Sequence, residues 1–309
     1  MLLEILNVVA PVFIVVGAGY LAVTSGFFTA AHIDQLMKFA IQIAVPCLLF
    51  RAASTIDLAA AFDWRLLASY YGSSITCFTI GFVIVRYFFK RRPGEAVAVA
   101  FSALFSNLVL LGLPISERAF GVDSLAPNFA LVSVNAPFCY LIGITAMEVL
   151  RADGRGAAET ARIVVNAMFR NALMIGIGLG FIVNLGEIAL PEVLIGAVDL
   201  LARASLPVAL FALGGVLTRY SLSKSLGEAS VVSVLSLAVQ PALAWLIAAQ
   251  LQLPYAITHS VVLMAAVAPG LNAYLFASMY NRGLGAAASS VLLATILSVF
   301  TVSAWLLIL

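Results

Sequence analysis

Long apolar stretches separated by short polar breaks recur along the whole chain of 309 residues. A helix needs about 20 consecutive, mostly apolar residues to cross the hydrocarbon core of a membrane, which is about 30 Å thick. Ten stretches are compatible with that length, and each favours a membrane-spanning helix over a buried strand. We predict ten transmembrane helices, called spans below, at 4–23, 34–53, 64–88, 95–118, 125–150, 162–184, 191–217, 228–250, 254–280 and 286–307.

Composition excludes a soluble globular domain. Hydrophobic residues make up 63% of the chain and charged residues 10%, whereas soluble domains have about 45–50% and about 25%. The first span carries Glu4 instead of the positive n-region of a signal peptide, and its apolar run is too long for such a peptide, so we expect it to be retained. The three cysteines lie singly within predicted spans, which indicates neither a disulfide framework nor a zinc site.

Basic residues collect in the loops on one side of the predicted membrane. Such residues stay on the cytoplasmic side in short loops, so both termini are expected on the non-cytoplasmic side of a bacterial inner membrane. The net charge of +2 is then a topology signal, and the run KRRPGE at 90–95 is interpreted as a cytoplasmic anchor, with no nucleic acid as partner. The loops after the third, fifth, seventh and ninth spans carry ten of the sixteen Lys and Arg residues: Arg86, Lys90, Arg91, Arg92, Arg151, Arg155, Arg162, Arg219, Lys224 and Arg282.

A polar connection at 151–161 divides the chain into two halves, 1–150 and 162–309, with five spans each. Because five is odd, the second half must enter the membrane from the opposite side, as in the inverted repeats of many transporters. The run VPCLLF at 45–50 resembles LPVALF at 206–211, a shift of 161 residues. The same shift carries positions 107–114 onto 268–275, and both windows contain Asn, Gly and Pro. We therefore predict an inverted repeat with a broken helix in each half.

Proline explains why spans 4 and 9 should break. Pro114 leaves the carbonyl of Leu110 without its usual donor, and Pro269 does the same to Ala265. A rise of about 1.5 Å per residue places both breaks near the membrane midplane, where irregular backbone must be satisfied by protein or by a wet cavity. Each second half-helix begins with free N–H groups and a partial positive charge that suits an anion. The candidate substrate-binding residues, for a small carboxylate held where the breaks meet, are Asn107, Gly112, Pro114, Asn135, Pro269, Gly270 and Asn272.

Other polar residues within the spans have two interpretations each. Asn135, next to Pro137 in span 5, either lines the pocket or joins helices by a hydrogen bond. Asp199 and Arg203, four residues apart in span 7, either neutralise each other or serve gating or proton coupling. His259 suits an interfacial position or a proton relay. The candidates for gating or coupling are Gln42, the deeper member of a polar stripe in span 2, with Asp199, Arg203 and His259.

Several runs together resemble the auxin efflux carrier family, to which bacterial carriers of malonate- and malate-like acids belong. The resemblance implies an all-α integral membrane protein of ten helices, arranged as two inverted five-helix repeats in a fold shared with bile-acid/sodium symporters. Spans 1, 2, 6 and 7 would form a scaffold, and spans 3–5 and 8–10 a transport domain. Broken spans 4 and 9 would cross at the substrate site, with Asn107, Pro114, Pro269 and Asn272 at the crossover. The runs are SNLVLLGLPI at 106–115, RNALMIGIGLGF at 170–181, LPEVLIGAVDLLARASLPVALFALGGVL at 190–217 and AVAPGLNAYLFASMY at 266–280.

The leading hypothesis is a secondary active or facilitative transporter of a small organic anion, auxin-like or a dicarboxylate, that works by elevator-type alternating access. Its partners would be that anion and the lipid bilayer, and a homodimer is the assembly considered. No cofactor or metal is expected, and H⁺ or Na⁺ as a coupling ion is left open. Alternatives are a sodium-coupled symporter of the bile-acid type and a membrane sensor that binds its ligand without moving it. An intramembrane hydrolase is not expected, since HExxH and GxSxG are absent.

Overall fold

The computed structural model of the protein describes residues 2–56, 63–122, 125–151, 172–221 and 225–309. Within these ranges the chain is helical and forms no β-sheet. The linker at 152–171, which includes most of 151–161 and the start of span 6, lies outside the described residues, as does Lys224. The helices are α1 (Leu2–Thr24), α2 (Ala30–Thr55), α3 (Trp64–Phe88), α4 (Pro93–Leu104), α5 (Leu108–Gly112 continued by Leu113–Phe120), α6 (Leu125–Arg151), α7 (Ala172–Leu185), α8 (Glu192–Leu217), α9 (Leu226–Gln250), α10 (Tyr255–Ala266), α11 (Leu271–Tyr280) and α12 (Leu284–Ile308).

Seven of these helices are long and apolar enough to cross a membrane: α1, α2, α3, α6, α8, α9 and α12. Two further apolar helices, α4 and α10, are shorter, and α7 is described only from Ala172 onwards. The prediction of an all-helical membrane protein is confirmed at this level. The fourth and ninth predicted spans differ from the others because each is divided into two helices, α4 with α5 and α10 with α11.

Three of the long helices contain one π-helical turn. In α2 and α9 this turn directly precedes a proline near the start of the next α-helical stretch, Pro46 and Pro241. Proline has no N–H to donate and crowds the carbonyl four residues back, so a regular α-helix cannot run through it undisturbed. The wider turn accommodates the proline while the helix continues.

The chain forms two compact units. Unit 1 comprises residues 1–10, 62–164 and 220–309, and unit 2 comprises residues 11–61 and 165–219. Unit 1 therefore holds α3 to α6 and α9 to α12, whereas unit 2 holds α2, α7, α8 and most of α1.

Glycines allow the helices of unit 2 to approach closely. A side chain at Gly19 of α1 would collide with the backbone carbonyl of Phe211 in α8, and one at Gly176 of α7 with the backbone of Pro46 in α2. Small residues that let helix backbones approach are typical of helix pairs in membranes. The packing of unit 2 thus depends on backbone contact at these positions.

Helix α4 is held from two sides within unit 1. On one side the ring of Phe101 stacks on Phe276 of α11, with ring centroids 3.9 Å apart and an angle of 14° between the planes. On the other side Ala103 shares a buried apolar cluster with Cys77 of α3 and Leu235 of α9. Both contacts lie in the last turn of α4, so they fix the point at which this helix ends.

Arg118, in the last turn of α5, fastens the beginning of α1 to the rest of unit 1. Its guanidinium donates from Nη2 to the carbonyl of Asn7 at 2.8 Å and from Nε to the carbonyl of Val8 at 3.0 Å. Pro11 cannot donate the helical hydrogen bond that Asn7 would otherwise receive. Arg118 therefore satisfies a carbonyl that the proline leaves free.

Candidate functional site

The two interrupted helices of unit 1 exchange backbone hydrogen bonds at their interruptions. The N–H of Asn107 donates to the carbonyl of Ala268 at 2.8 Å, and the N–H of Gly270 donates to the carbonyl of Phe105 at 3.0 Å. Ser106 and Pro269 thereby form an isolated antiparallel bridge. Irregular backbone in a membrane protein needs such partners, and here each interruption supplies the partners of the other.

The second interruption, between α10 and α11, follows from proline. Pro269 lacks the N–H that would continue the helix and disfavours helical backbone at the preceding residue. Val267, with φ −78° and ψ 148°, and Gly270, with φ −82° and ψ 168°, are extended. The predicted break at Pro269 and Gly270 is therefore present in the structure.

The first interruption, between α4 and α5, is made by Asn107. Its side-chain Oδ1 accepts a hydrogen bond from the N–H of Leu110 at 3.2 Å and so caps the new helix. Pro114 lies inside α5, just after the π-helical turn Leu108–Gly112, and the wider turn accommodates the proline as it does in α2 and α9. The prediction that Gly112 and Pro114 make this break is therefore wrong in position.

Gly112 contributes to packing instead. A Cβ atom at Gly112 would lie 2.7 Å from the sulfur of Met264 in α10. The missing side chain lets the start of α5 approach the end of α10. Gly270 is also close to the other interruption, since a Cβ there would lie 3.4 Å from Cα of Asn107.

We call the interruption between α4 and α5 and the interruption between α10 and α11, which bond to each other, the paired interruptions. Hydrogen-bond donors remain unused there. Asn107 is 7% exposed, and among the described residues its Nδ2 group has no hydrogen-bond partner. Asn272, in the first turn of α11 and partly exposed, has no side-chain hydrogen bond within the same described ranges. The helices α5 and α11 also begin here, each with the partial positive charge of a helix N-terminus. This arrangement can recognise an anion such as a carboxylate.

Asn135 of α6 lies one helical turn before Cys139, whose sulfur contacts the end of α4. Its Oδ1 accepts a hydrogen bond from the thiol of Cys139 at 3.5 Å, and the same sulfur lies 3.7 Å from the carbonyl of Leu104. The side chain is 5% exposed. Both roles considered for Asn135 are compatible with this position.

The gating candidates of α2 and α8 belong to unit 2. Asp199 forms an ion pair with Arg51 of α2, with 3.0 Å between Nε and Oδ1, so the interpretation that Asp199 and Arg203 neutralise each other is wrong. Arg203 is exposed and makes no ion pair in the part of the chain that the structure describes. A second ion pair joins Asp34 of α2 to Arg219, which follows the end of α8, at 2.7 Å. Gln42 is exposed and lies in the π-helical turn of α2.

His259 lies in the second turn of α10 among aromatic rings. Its ring centroid is 3.8 Å from that of Tyr255 and 5.6 Å from that of Phe120. Its Nε2 atom is buried and makes no hydrogen bond to any described residue. The interfacial role and the proton-relay role of His259 both stay predictions.

The structure brings together polar residues that the sequence interpretation missed. Tyr70, Ser74, Ser106 and Gln240 converge inside unit 1. Separately, the Nδ2 of Asn128 donates to Ser116 Oγ at 2.6 Å. One signal was available in the sequence, because Gln240 is a polar side chain in the middle of an apolar span next to a proline. Within the described residues, no group of three His, Cys, Asp or Glu side chains could hold a metal ion.

These features define a helical membrane protein whose interrupted helices carry unused donors. The sequence of residues 4–306 matches the family described as membrane transport protein. This is the auxin efflux carrier family, and the chain belongs to it. It is therefore an integral membrane protein that acts as a transporter and not as an enzyme, with a small-molecule substrate and membrane lipids as partners.

Two relatives match almost the whole chain. One, from Rhizobium meliloti (strain 1021), bears the name "Putative malonate transporter"; it is 23% identical over 314 residues, which cover 97% of this chain and 94% of the relative. The other is an uncharacterized transporter of Methanothermobacter thermautotrophicus, 26% identical with 97% of each chain covered. The identification as a member of the auxin efflux carrier family, made from the sequence, is confirmed.

Proposed function

We propose that this chain is a secondary active or facilitative transporter of a small organic anion, bound at the paired interruptions. The observation that carries the proposal is the exchange of hydrogen bonds between Asn107 and Ala268 and between Gly270 and Phe105. It brings two helix N-termini and the amide side chains of Asn107 and Asn272 to one region of unit 1. Donors of this kind favour a carboxylate over a cation or a neutral solute.

The proposed architecture has ten membrane-spanning helices in two inverted repeats, with α4–α5 and α10–α11 as the crossing helices. The sequence shift of 161 residues supports it, because that shift relates two segments that both prove to be interrupted. Both termini would face away from the cytoplasm of a bacterial inner membrane. In this proposal unit 2 is the scaffold, and unit 1 moves during elevator-type alternating access.

The substrate class proposed is a dicarboxylate or an auxin-like acid. The name of the Rhizobium relative refers to malonate, which supports dicarboxylates as the first compounds to assay. A dicarboxylate could use both sets of donors, one at each interruption. An aromatic carboxylate could use only one set for its single charged group.

Flux into proteoliposomes tests the proposal. Labelled dicarboxylates and indole carboxylates would be offered while proton and sodium gradients are varied separately. We expect accumulation or exchange of one class above empty liposomes, and loss of that flux in Asn107→Ala and in Asn272→Ala. Asn184→Ala is the matched control and should keep the flux. It also removes an asparagine amide, but one that donates a hydrogen bond to the carbonyl of Ile56 in unit 2, away from the proposed site.

The outcomes of this assay separate the alternatives. Binding without flux would support a membrane sensor and contradict transport. Unchanged flux in both asparagine variants would place the substrate elsewhere and reduce the interruptions to packing features. Flux of bulky steroid-like anions alone, in the presence of sodium, would instead favour a symporter of the bile-acid type.

A further inference from the structure

Arg203 places a charged side chain in the middle of a membrane helix of unit 2. Helix α8 runs from Glu192 to Leu217, and a rise of about 1.5 Å per residue puts Arg203 about 17 Å from its start and about 21 Å from its end. An arginine near a helix end can extend its guanidinium to the membrane surface. From this depth the guanidinium of Arg203 cannot do so.

The charge of Arg203 is not compensated by a neighbour. The side chain is exposed and forms neither an ion pair nor a hydrogen bond with any residue that the structure describes. Asp199, the carboxylate one helical turn earlier, bonds Nε of Arg51 in α2 at 3.0 Å. We call Arg51, Asp199 and Arg203 the arginine cluster. Its two guanidinium groups and one carboxylate leave one positive charge uncompensated.

Hydrocarbon is an unfavourable surrounding for this charge. Arginines within membrane helices almost always face a bundle interior or a water-filled cavity, and Arg203 is not in the interior. Gln42 gives the same indication from a second helix, because it is exposed, lies in the π-helical turn in the middle of α2 and has no side-chain hydrogen bond to a described residue. Both α2 and α8 therefore present polar groups that need water at this depth.

Helix α7 of the same unit shows the opposite composition. Its exposed side chains at comparable depth are apolar, with Ile175 48% and Leu179 51% exposed. They lie ten and six residues before Leu185, where α7 ends. An apolar exposed surface suits lipid. The exposed surface at Arg203 and Gln42 differs from it in the way expected of a surface that meets water.

A second copy of the chain does not supply the missing negative charge. In a two-fold interface the same surface patch meets itself, so Arg203 would need a free carboxylate on its own surface. The acidic residues of α2, α7 and α8 in the described ranges are Asp34, Glu192 and Asp199. Asp34 and Asp199 are already in ion pairs, and Glu192 lies at the start of α8, about 17 Å along the helix from Arg203.

We propose that the arginine cluster lines a water-filled path and is an additional subsite for the small organic anion; this inference rests on the proposed transport function. Its uncompensated charge attracts carboxylates and repels cations, and the apolar surroundings of a membrane strengthen this field. Because Arg203 is exposed and only one charge is unpaired, the subsite concentrates the anion without holding it tightly. The donors at the paired interruptions remain the site of specific binding.

A cysteine beside Arg203 tests for water and for the positive field without a transport assay. Leu200 is 73% exposed and lies three residues before Arg203, on the same side of α8. Leu200→Cys would be made in a Cys47→Ala background, since Cys77 and Cys139 are buried. In proteoliposomes its rates of reaction with an anionic and a cationic methanethiosulfonate would be compared. We expect reaction with both reagents and, relative to a free thiol, a preference of about tenfold for the anionic reagent.

Leu179→Cys is the matched control, because it also exchanges an exposed leucine for cysteine but lies on α7. It should react with neither reagent. Adding Arg203→Gln to Leu200→Cys should remove the anionic preference, whereas Arg203→Lys should keep it. Malonate in excess should slow the anionic reagent only where residue 203 is charged.

Several results of the labelling experiment would overturn the proposal. Absence of reaction at Leu200→Cys, or reaction no faster than at Leu179→Cys, would mean that this face does not meet water. An anionic preference that survives Arg203→Gln would mean that another charge is responsible. A disulfide formed between Leu200→Cys residues of two copies would place a second copy on this face.

Substrate flux gives a second readout, in which the apparent KM and kcat are separated. Arg203→Gln should raise the KM for malonate about fivefold with kcat nearly unchanged, and Arg203→Lys should restore the KM. Raising the ionic strength from about 0.01 M to about 0.15 M shortens the Debye length from about 30 Å to about 8 Å. It should therefore raise the KM of the unaltered protein more than that of Arg203→Gln. Arg92→Gln, an equal charge change at an exposed residue between α3 and α4, should change the KM by less than about twofold.

Failure of the subsite and failure of the transport function are distinguishable. Flux that is lost in Asn107→Ala but has the same KM in Arg203→Gln, together with no labelling of Leu200→Cys, would reject the subsite and leave transport intact. Labelling with an anionic preference that depends on Arg203, without flux of any carboxylate, would reject transport and leave an anion-attracting aqueous surface. The complete proposal requires both the labelling pattern and the shift in KM.

Discussion

The two interruptions of unit 1 exchange equivalent hydrogen bonds but are built by different means. Between α4 and α5, Asn107 caps the new helix with its own side chain. Between α10 and α11, Pro269 stops the first helix, and Gly270 precedes the second without a side-chain cap. The first interruption is thus made by a side-chain hydrogen bond and the second by the backbone restriction of proline.

Because of this difference, Asn107 and Asn272 are expected to have different roles. Oδ1 of Asn107 is committed to the cap, so only its Nδ2 group is left for a ligand. Asn272 uses neither side of its amide in any hydrogen bond within the described ranges. Asn107 should therefore matter for both stability and binding, and Asn272 for binding alone.

The largest expected effect comes from placing a negative charge at either interruption. Asn107→Asp keeps the capping oxygen and Asn272→Asp leaves the cap untouched, yet each puts a carboxylate where a substrate carboxylate is proposed to sit. Removing the favourable donor and adding a negative charge beside the substrate carboxylate should weaken anion binding by more than about a hundredfold. Equilibrium binding of a labelled dicarboxylate measures the loss.

Asn281→Asp is the control for this charge change. Asn281 is exposed and ends α11 in the left-handed conformation, which Asn and Asp both tolerate. The Asn281→Asp variant should bind the anion with the affinity of the unaltered protein. Normal binding in both Asn107→Asp and Asn272→Asp would show that the anion does not lie between the interruptions.

The sequence predicted the helical segments and both interruptions because these features depend on local patterns. Apolar runs reveal membrane helices directly, and the repeat shift pointed from one interrupted helix to the other. Pro114 was misinterpreted because it lies inside α5, just after a π-helical turn that accommodates it, and the helix continues through it. The cap made by Asn107, seven residues earlier, is the feature that determines where α5 begins.

Contacts between distant residues could not be predicted from spacing. Asp199 and Arg203 have the spacing of a helical ion pair, but Arg51 of another helix offers Asp199 a closer partner. Tyr70, Ser74 and Gln240 are individually ordinary in membrane helices. Only the packing of α3 against α9 reveals that Gln240 forms hydrogen bonds with both Ser74 and Ser106.

A smaller effect should separate capping from binding at Asn107. Asn107→Ala loses the cap and should destabilise the protein by about 1 kcal/mol, whereas Asn107→Ser keeps a capping oxygen and should restore most of that loss. Neither variant retains Nδ2, so both should bind the anion poorly. Asn272→Ala should bind poorly at unchanged stability. Thermal unfolding and binding measured on the same samples test this pattern, which equal destabilisation by Asn107→Ala and Asn272→Ala would contradict.

The smallest effect concerns the glycine beside each interruption. Gly270 has an extended backbone that any residue adopts, and an added Cβ would meet Asn107 at ordinary contact distances of 3.4 Å or more. Gly270→Ala should therefore change the free energy of unfolding by less than about 0.5 kcal/mol. At Gly112 the added Cβ would lie 2.7 Å from the sulfur of Met264, and a flexible methionine can move away at a cost of about 1 kcal/mol.

The double variant Gly112→Ala with Met264→Val tests whether this contact is the cause. Shortening residue 264 removes the obstructing sulfur, so the double variant should be more stable than the sum of the two single effects predicts, by about 0.5–1 kcal/mol. Chemical or thermal unfolding of all four proteins gives the coupling free energy. Additive effects would show that Gly112 is needed for the π-helical start of α5 itself, and the first interruption would then depend on backbone freedom as well as on the Asn107 cap.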